Sequence, residues 1–294
     1  SLGAGVSSGE GLVLTFGFKQ ENAFGSGNSV GVDLNTSKSN RTVVFSTTNP
    51  YFTADGVSRT LDVYSRKTSP LSDEDAYKLV TSGASIRFGV PFTEIDTVYF
   101  GAGLENTKII PGTSLPAAYL TYANQFGYSS STLPLTVGWS RDGRDSALVP
   151  TNGAYQRASA EWGVGGDARY LRGTYQYQQY FPISKQYTAA FNGELGLGKT
   201  IGSRPYPLFK NFYGGGLGSV RGFDSGSLGP RDAATDLSLG GTKKLVLNAE
   251  IIAPFPGAGN DRTLRWYGFV DVGNVYGESQ PIRMSELRAS IGLG

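Results

Sequence analysis

Residues 212–223 read Phe212-Tyr213-Gly214-Gly215-Gly216-Leu217-Gly218-Ser219-Val220-Arg221-Gly222-Phe223. So much glycine excludes a stable helix, because each interior glycine costs about 1 kcal/mol relative to alanine. The aromatic and branched side chains exclude a plain flexible linker. The stretch lies in a long interval, 200–242, between two segments that alternate like strands, and its one arginine is flanked by residues that leave the backbone accessible. The glycines also suggest a phosphate cradle. That reading fails, because Ser219 and Arg221 stand where G-x-G-x-x-G needs its third glycine, and no strand–helix–strand unit surrounds them.

Outward from this stretch, the chain alternates with period two, the mark of a strand with two unlike faces. Leu12, Leu14, Phe16 and Phe18 interleave with Val13, Thr15, Gly17 and Lys19. Val98, Phe100, Ala102 and Leu104 interleave with Tyr99, Gly101, Gly103 and Glu105. Ala189, Phe191, Leu195 and Leu197 interleave with Ala190, Asn192, Glu194 and Gly196, and Leu245, Leu247, Ala249 and Ile251 with Val246, Asn248 and Glu250. One face is apolar. The other holds glycine, small polar groups and charges such as Arg87, Glu105, Glu194, Glu250 and Asp271.

A water-soluble barrel turns the apolar face inward, and a membrane barrel turns it to lipid around a polar lumen. Alternation alone does not choose between them. Three features favour the membrane. The segments match the roughly 9–11 residues that a tilted spanning strand needs. The polar face is glycine-rich and charged on many segments, as a wet lumen requires. Aromatic residues gather at segment ends, as in Tyr51-Phe52, Tyr180-Phe181, Phe212-Tyr213 and Trp266-Tyr267, where an interfacial girdle would lie.

The chain of 294 residues suits one large barrel or two ordinary domains. It holds 42 glycines, 17 tyrosines and 16 phenylalanines, but no cysteine and no histidine. Zinc and thiol sites lack their ligands, and nucleophile–histidine triads are impossible. Neither a catalytic constellation, a metal site nor a cofactor site is expected. A net charge of +2 gives no footprint for nucleic acid. No run of about 18 apolar residues marks a spanning helix, and no basic-then-apolar leader opens the chain. The chain is therefore expected to be a mature or excised fragment.

Turn signals separate about 14 strand candidates: 1–7, 11–22, 29–38, 41–48, 57–67, 80–91, 96–109, 132–141, 154–164, 168–181, 186–199, 243–254, 264–275 and 282–294. Compact turns at 23–28, 49–56, 92–95, 142–153, 182–185 and 255–263 oppose connections of very different length, including 68–79, 110–131 and 200–242. Short turns on one rim and variable loops on the other are the pattern of a transmembrane barrel. Within 110–131, residues 116–126 are expected to form a short surface helix. Asp73, Glu74 and Asp75 read as a solvated charge run, and Arg141, Asp142, Arg144 and Asp145 as surface ion pairs tying down one turn. The fold expected is all-β, a single antiparallel transmembrane β-barrel domain over 1–294.

Residues 211–230, with Val220-Arg221-Gly222-Phe223 in a glycine context and Ser227-Leu228-Gly229-Pro230 after it, resemble the sixth extracellular loop of the BamA-type outer-membrane insertase barrels. Gln20–Gly27, Thr48-Asn49-Pro50-Tyr51-Phe52-Thr53-Ala54-Asp55-Gly56-Val57-Ser58 and Asp145–Gly153 are similar to other family segments, so the resemblance runs through nearly the whole chain. It implies a barrel of about 16 strands in the bacterial outer membrane of Gram-negative cells. On that basis the last hairpin and the N-terminal periplasmic domains are expected to be missing here.

The resemblance further implies that the loop folds into the lumen and that its arginine binds acidic groups on the inner wall. The matching positions are Arg221 with Glu250 and Asp271, flanked by Val220, Gly222 and Phe223. Both carboxylates fall on the non-apolar register of their strands, and an arginine fork suits bidentate carboxylate binding. Without the resemblance, a solvated loop arginine and ordinary luminal charges are the favoured reading of the same residues.

The first segment, Leu2-Gly3-Ala4-Gly5-Val6, carries two glycines that weaken strand order. A poorly zipped edge offers unpaired backbone groups as a template for an incoming strand. Alternatively, the glycines ease a tight barrel corner. The function implied is a non-enzymatic insertase that folds and inserts β-barrel proteins through a lateral seam. Its implied partners are unfolded outer-membrane β-barrel proteins, accessory assembly lipoproteins met through the periplasmic domains, and outer-membrane lipid, with no nucleic acid. A polypeptide-secreting pore of the same superfamily, of the two-partner secretion or TamA-like kind, is the alternative, and a diffusion porin is a third class.

Overall fold

A computed structural model of the protein describes residues 2–7, 11–70, 76–255 and 264–294. The Asp73-Glu74-Asp75 run and most of the turn at 255–263 lie outside them. Among the described residues, fourteen strands follow one another in one antiparallel sheet, each paired with its neighbours in sequence. They are β1 (Leu2–Ser7), β2 (Gly11–Gln20), β3 (Ser29–Thr36), β4 (Asn40–Asn49), β5 (Ser58–Thr68), β6 (Tyr77–Pro91) and β7 (Asp96–Pro111). After helix α1 (Ala117–Phe126) come β8 (Ser129–Asp142), β9 (Gly153–Gly166), β10 (Tyr170–Pro182), β11 (Thr188–Thr200), β12 (Lys243–Pro254), β13 (Arg265–Tyr276) and β14 (Arg288–Leu293).

The sheet curls on itself. Tyr213 bonds through its hydroxyl to Tyr77 on β6, while at the next residue a Cβ on Gly214 would sit 3.0 Å from Val275 on β13. On a flat sheet those strands would lie about 34 Å apart, at ~4.8 Å per step. Consecutive residues touch both, so the wall must wrap around them.

The facing of the strands settles what alternation left open. Leu12, Phe16 and Phe18 on β2, Phe100 and Leu104 on β7, Phe191 and Leu197 on β11, and Leu247 and Ile251 on β12 are all exposed. Their polar neighbours point the other way, toward the loop at 201–242. Glu105 and Glu161 meet Lys210, and Glu250 and Asp271 meet Arg221. An apolar exterior around a charged interior is the inversion that lipid demands. Among the described residues, no helix is long and apolar enough to cross a membrane.

Several strands outrun the expected bounds. β6 has 15 residues, β7 has 16 and β8 has 14, against roughly 9–11 for a tilted crossing. The surplus stands on the long-loop rim. There Tyr77 at the start of β6 stacks on Tyr119 of α1, with ring centroids 4.4 Å apart. The last strand is shorter than expected, because a 3₁₀ turn occupies Met284–Glu286 and the strand begins only at Arg288. Some expected girdle residues turn inward instead. Phe212 is buried, and Tyr267 lies beside Arg221. Phe212 and Tyr213 belong to the loop at 201–242 and to no strand, and neighbours on a strand face opposite sides, so Trp266-Tyr267 supplies one girdle residue at most. In the turn after β8, Arg144 pairs with Asp142 at 2.7 Å and Arg141 with Asp96 at 3.7 Å. Asp145 serves the backbone of Thr151 and Asn152, with no arginine involved.

Candidate functional site

The connection from β11 to β12, residues 201–242, enters the lumen and makes its contacts on the inner faces of the wall. Its tip is a tight turn. The Gly216 amide donates to the carbonyls of Val220 (3.1 Å) and Phe223 (2.9 Å). Gly222 has φ +84°, a left-handed conformation that costs glycine little. This turn aims Arg221 at the wall while Val220, fully buried, packs with Leu228 and Val246.

Arg221 meets two strands. Its Nε and Nη2 donate to Oδ2 and Oδ1 of Asp271 on β13, both at 2.7 Å, and its backbone amide donates to the same carboxylate at 2.9 Å. Its Nη1 lies 2.6 Å from Glu250 on β12. The guanidinium plane sits 3.7 Å over the Phe269 ring. The planar cation has a flat aromatic floor, and its Nε, Nη1 and Nη2 each meet a carboxylate at its edge. Asp271 is fully buried, so its charge depends on these partners.

Asn248 and Asn192 join the site without having been singled out in the sequence. Asn248 Nδ2 donates to Asp271 Oδ1 and to the Ser219 carbonyl, each at 2.8 Å, and Asn192 Nδ2 donates to Asn248 Oδ1 at 2.8 Å. The register explains the row, because Asn192 pairs with Asn248 and Asn248 with Asp271. Inward polar residues at one level of three adjacent strands are legible once register is known.

Other loop contacts escaped sequence reading. Lys210 bridges Glu105 (2.8 Å) and Glu161 (2.9 Å). Phe212 lies against Gly196 on β11, where a Cβ would be 2.7 Å from the ring. Tyr77, Tyr119 and Tyr213 share hydroxyl hydrogen bonds. Asp232 Oδ1 accepts from the Ala117 amide at 3.0 Å. Pro116, which precedes α1, offers no side-chain cap, so a distant loop carboxylate caps the helix.

The first-strand residues Leu2, Gly3, Ala4, Gly5 and Val6 lie apart from this cluster. They pair with Phe16, Thr15, Leu14, Val13 and Leu12 of β2. The other edge of β1 carries no paired strand among the described residues, and β14 forms the opposite edge of the sheet.

A family profile described as the Omp85 superfamily domain matches residues 22–294. The outer membrane protein assembly factor BamA of Neisseria meningitidis serogroup B is 39% identical over 291 residues, covering 94% of this chain and 36% of that protein. The chain thus spans about a third of the length of the curated relatives it matches. Among solved structures, BamA from Haemophilus ducreyi lacking POTRA domains 1–3 superposes with TM-score 0.87 at 26% identity, covering 99% of this chain and 62% of that one. CdiB from Acinetobacter baumannii shares the fold, with TM-score 0.58 at 17% identity over 99% of this chain and 52% of that one.

Proposed function

The chain belongs to the Omp85 superfamily, and from that premise we propose that it is the barrel domain of an outer-membrane assembly factor, which folds and inserts other β-barrel proteins into the bacterial outer membrane. The observation that carries the reading is the Arg221 clasp on Glu250 and Asp271 inside an apolar-shelled barrel. A loop held this way obstructs the lumen, which suits work at the wall better than free diffusion through the centre. The relative with 39% identity bears the name of such a factor.

In this proposal Val220, Arg221, Gly222 and Phe223 lock the loop to the wall, and Leu2–Val6 offer a strand edge to an incoming substrate. Backbone groups at an edge inside lipid need partners, and a nascent strand supplies them by β-augmentation. The partners are unfolded outer-membrane proteins, accessory assembly lipoproteins and the surrounding lipid. The work comes from strand exchange and local disturbance of the bilayer, with no covalent step.

The deciding experiment is reconstitution. The full-length protein in liposomes is expected to accelerate folding of an unrelated barrel protein over empty liposomes. Equal rates, with a large steady ion conductance, would overturn the proposal in favour of a pore. For the edge, a disulfide joining the first strand to the last strand of the full-length protein is expected to abolish the acceleration. Unchanged activity with the bond closed would remove β1 from the mechanism.

A further inference from the structure

We infer that Lys210 is a second anchor of the luminal loop, fastening the loop's entry to β7 and β9 through Glu105 and Glu161 independently of the Arg221 clasp on β12 and β13. The inference rests on the reading of the loop as a fixed luminal element of an assembly barrel, and it adds a residue to that device.

The geometry is that of a built cation site. Lys210 Nζ donates to Glu105 Oε1 at 2.8 Å and to Glu161 Oε1 at 2.9 Å. Side-chain exposure is 14% for the lysine and 12% and 25% for the two carboxylates, so water does little of the solvation. Each carboxylate is held from behind. Tyr64 on β5 donates to Glu105 Oε2 at 3.0 Å, and Tyr170 on β10 donates to Glu161 Oε1 at 2.5 Å. Two carboxylates converging on one sheltered point repel each other unless a cation stands between them. On the wall, Arg172 lies opposite Glu161 in the strand register, but it is the loop's Lys210 that bonds to both carboxylates. A compact ammonium with three protons suits two acceptors from different strands.

The backbone at Lys210 is fixed as well. It ends a 3₁₀ turn over Leu208–Lys210 that follows Pro207. Its carbonyl accepts from Arg172 Nε at 3.3 Å and from Tyr206 Oη at 3.2 Å. Two residues on, Arg172 lies over the Phe212 ring at 4.1 Å, and Gly196 leaves room for the same ring. The hydrogen-bonding and ring partners of Lys210 are thus Glu105, Glu161, Tyr170, Arg172 and Tyr206. Those of Arg221 are Asp271, Glu250, Phe269 and Tyr267. With no residue shared, the two anchors act as separable units.

The test uses the full chain in outer-membrane lipid vesicles, with hydrogen exchange followed separately in peptides covering 204–214 and 219–230. Lys210→Met keeps the stem and removes the charge, and Lys210→Arg keeps the charge. Lys210→Met is expected to speed exchange in 204–214 about tenfold while 219–230 stays within about twofold of the parent. Lys210→Arg is expected to restore most of the protection, and Arg221→Ala to give the opposite regional pattern. The triple variant Lys210→Met/Glu105→Gln/Glu161→Gln, which removes both carboxylates together with their lysine, is expected to form a heat-modifiable barrel whose 204–214 region still exchanges fast. The inference is overturned by parent-like exchange in 204–214 of a folded Lys210→Met protein, by equal acceleration of both regions, or by the methionine and arginine variants behaving alike. It is also overturned by a triple variant that fails to form the barrel, since the cluster would then hold the wall and not the loop. No substrate protein is present, so the result stands apart from assembly activity. A failed anchor leaves the proposed function intact, and an inactive protein with the two-region pattern leaves the anchor intact.

Discussion

Arg221 and Asp271 lie 50 residues apart in sequence and meet through three hydrogen bonds, two from the guanidinium and one from the arginine's own amide. The carboxylate is fully buried. It has exchanged water for this one side chain, Asn248 and the adjoining backbone.

Arg221→Ala is therefore expected to cost about 3–5 kcal/mol, the range for removing one partner of a buried pair. Arg221→Ala/Asp271→Asn should recover part of that loss by removing the stranded charge. Barrel melting and protease cleavage within 201–242 check this. If Arg221→Ala melts as the parent does and resists cleavage equally, the clasp contributes nothing. Arg221→Lys should restore little, because an ammonium cannot reproduce the fork over Phe269.

Leu247 sits mid-strand on β12 with its side chain exposed. If that face meets hydrocarbon, Leu247→Arg is expected to destabilise the folded barrel in liposomes by roughly 2–4 kcal/mol. A surface bathed in water would tolerate the change within about 0.5 kcal/mol. Denaturant titration in lipid vesicles separates the two, and a neutral result would mean that the apolar exterior is not a lipid surface.

Asp232 caps α1 from across the loop. Asp232→Ala leaves the Ala117 amide without its acceptor and frees the turn at Ala234 and Thr235, which the same side chain holds. Hydrogen exchange in 117–126 should quicken while β6 and β7 keep their protection. Unchanged exchange in the helix would show that tyrosine packing alone fixes it.

Alkali should release the loop. Burial pushes the Tyr206 phenol up to about 12, against about 10 in an unfolded chain. The folded state therefore keeps a proton that the unfolded chain gives up. This contribution is whole below the unfolded value and is lost as pH rises through about 12. Burial shifts Tyr119 and Tyr213 in the same direction. For Lys210, burial opposes the charge, but Glu161 and Glu105 outweigh it and raise its pKa, so its share too is lost only as alkali strips the ammonium. Protease sensitivity of 201–242, measured from neutral pH upward at constant salt, should rise above about pH 10. A loop that loosens first toward acid, with no alkaline change, would contradict this.

Much of the site is legible in the sequence. The inward register of Glu250 and Asp271 follows from counting by twos, and the glycine-rich run around Arg221 marked the loop. Asn192, Asn248, Glu161 and Lys210 were not singled out. Each is an ordinary polar residue in its own segment, and only strand pairing or the loop's path brings it to a partner. The aromatic pairs misled in part for the same reason, since Phe212 and Tyr267 are drawn inward by contacts that no local pattern encodes.

By itself the sequence determined the strands, their order and which residues share a face. These follow from backbone stereochemistry and turn residues within a few positions of one another. Tertiary structure decided which face is wet and which charges meet, because period-two alternation is unchanged when a barrel is turned inside out. The exposed Phe191 and Leu247 fixed the first answer. The second needed the curling of the wall and the path of the loop, which bring Lys210 to Glu105 across 105 residues and Asp232 to Ala117 across 115.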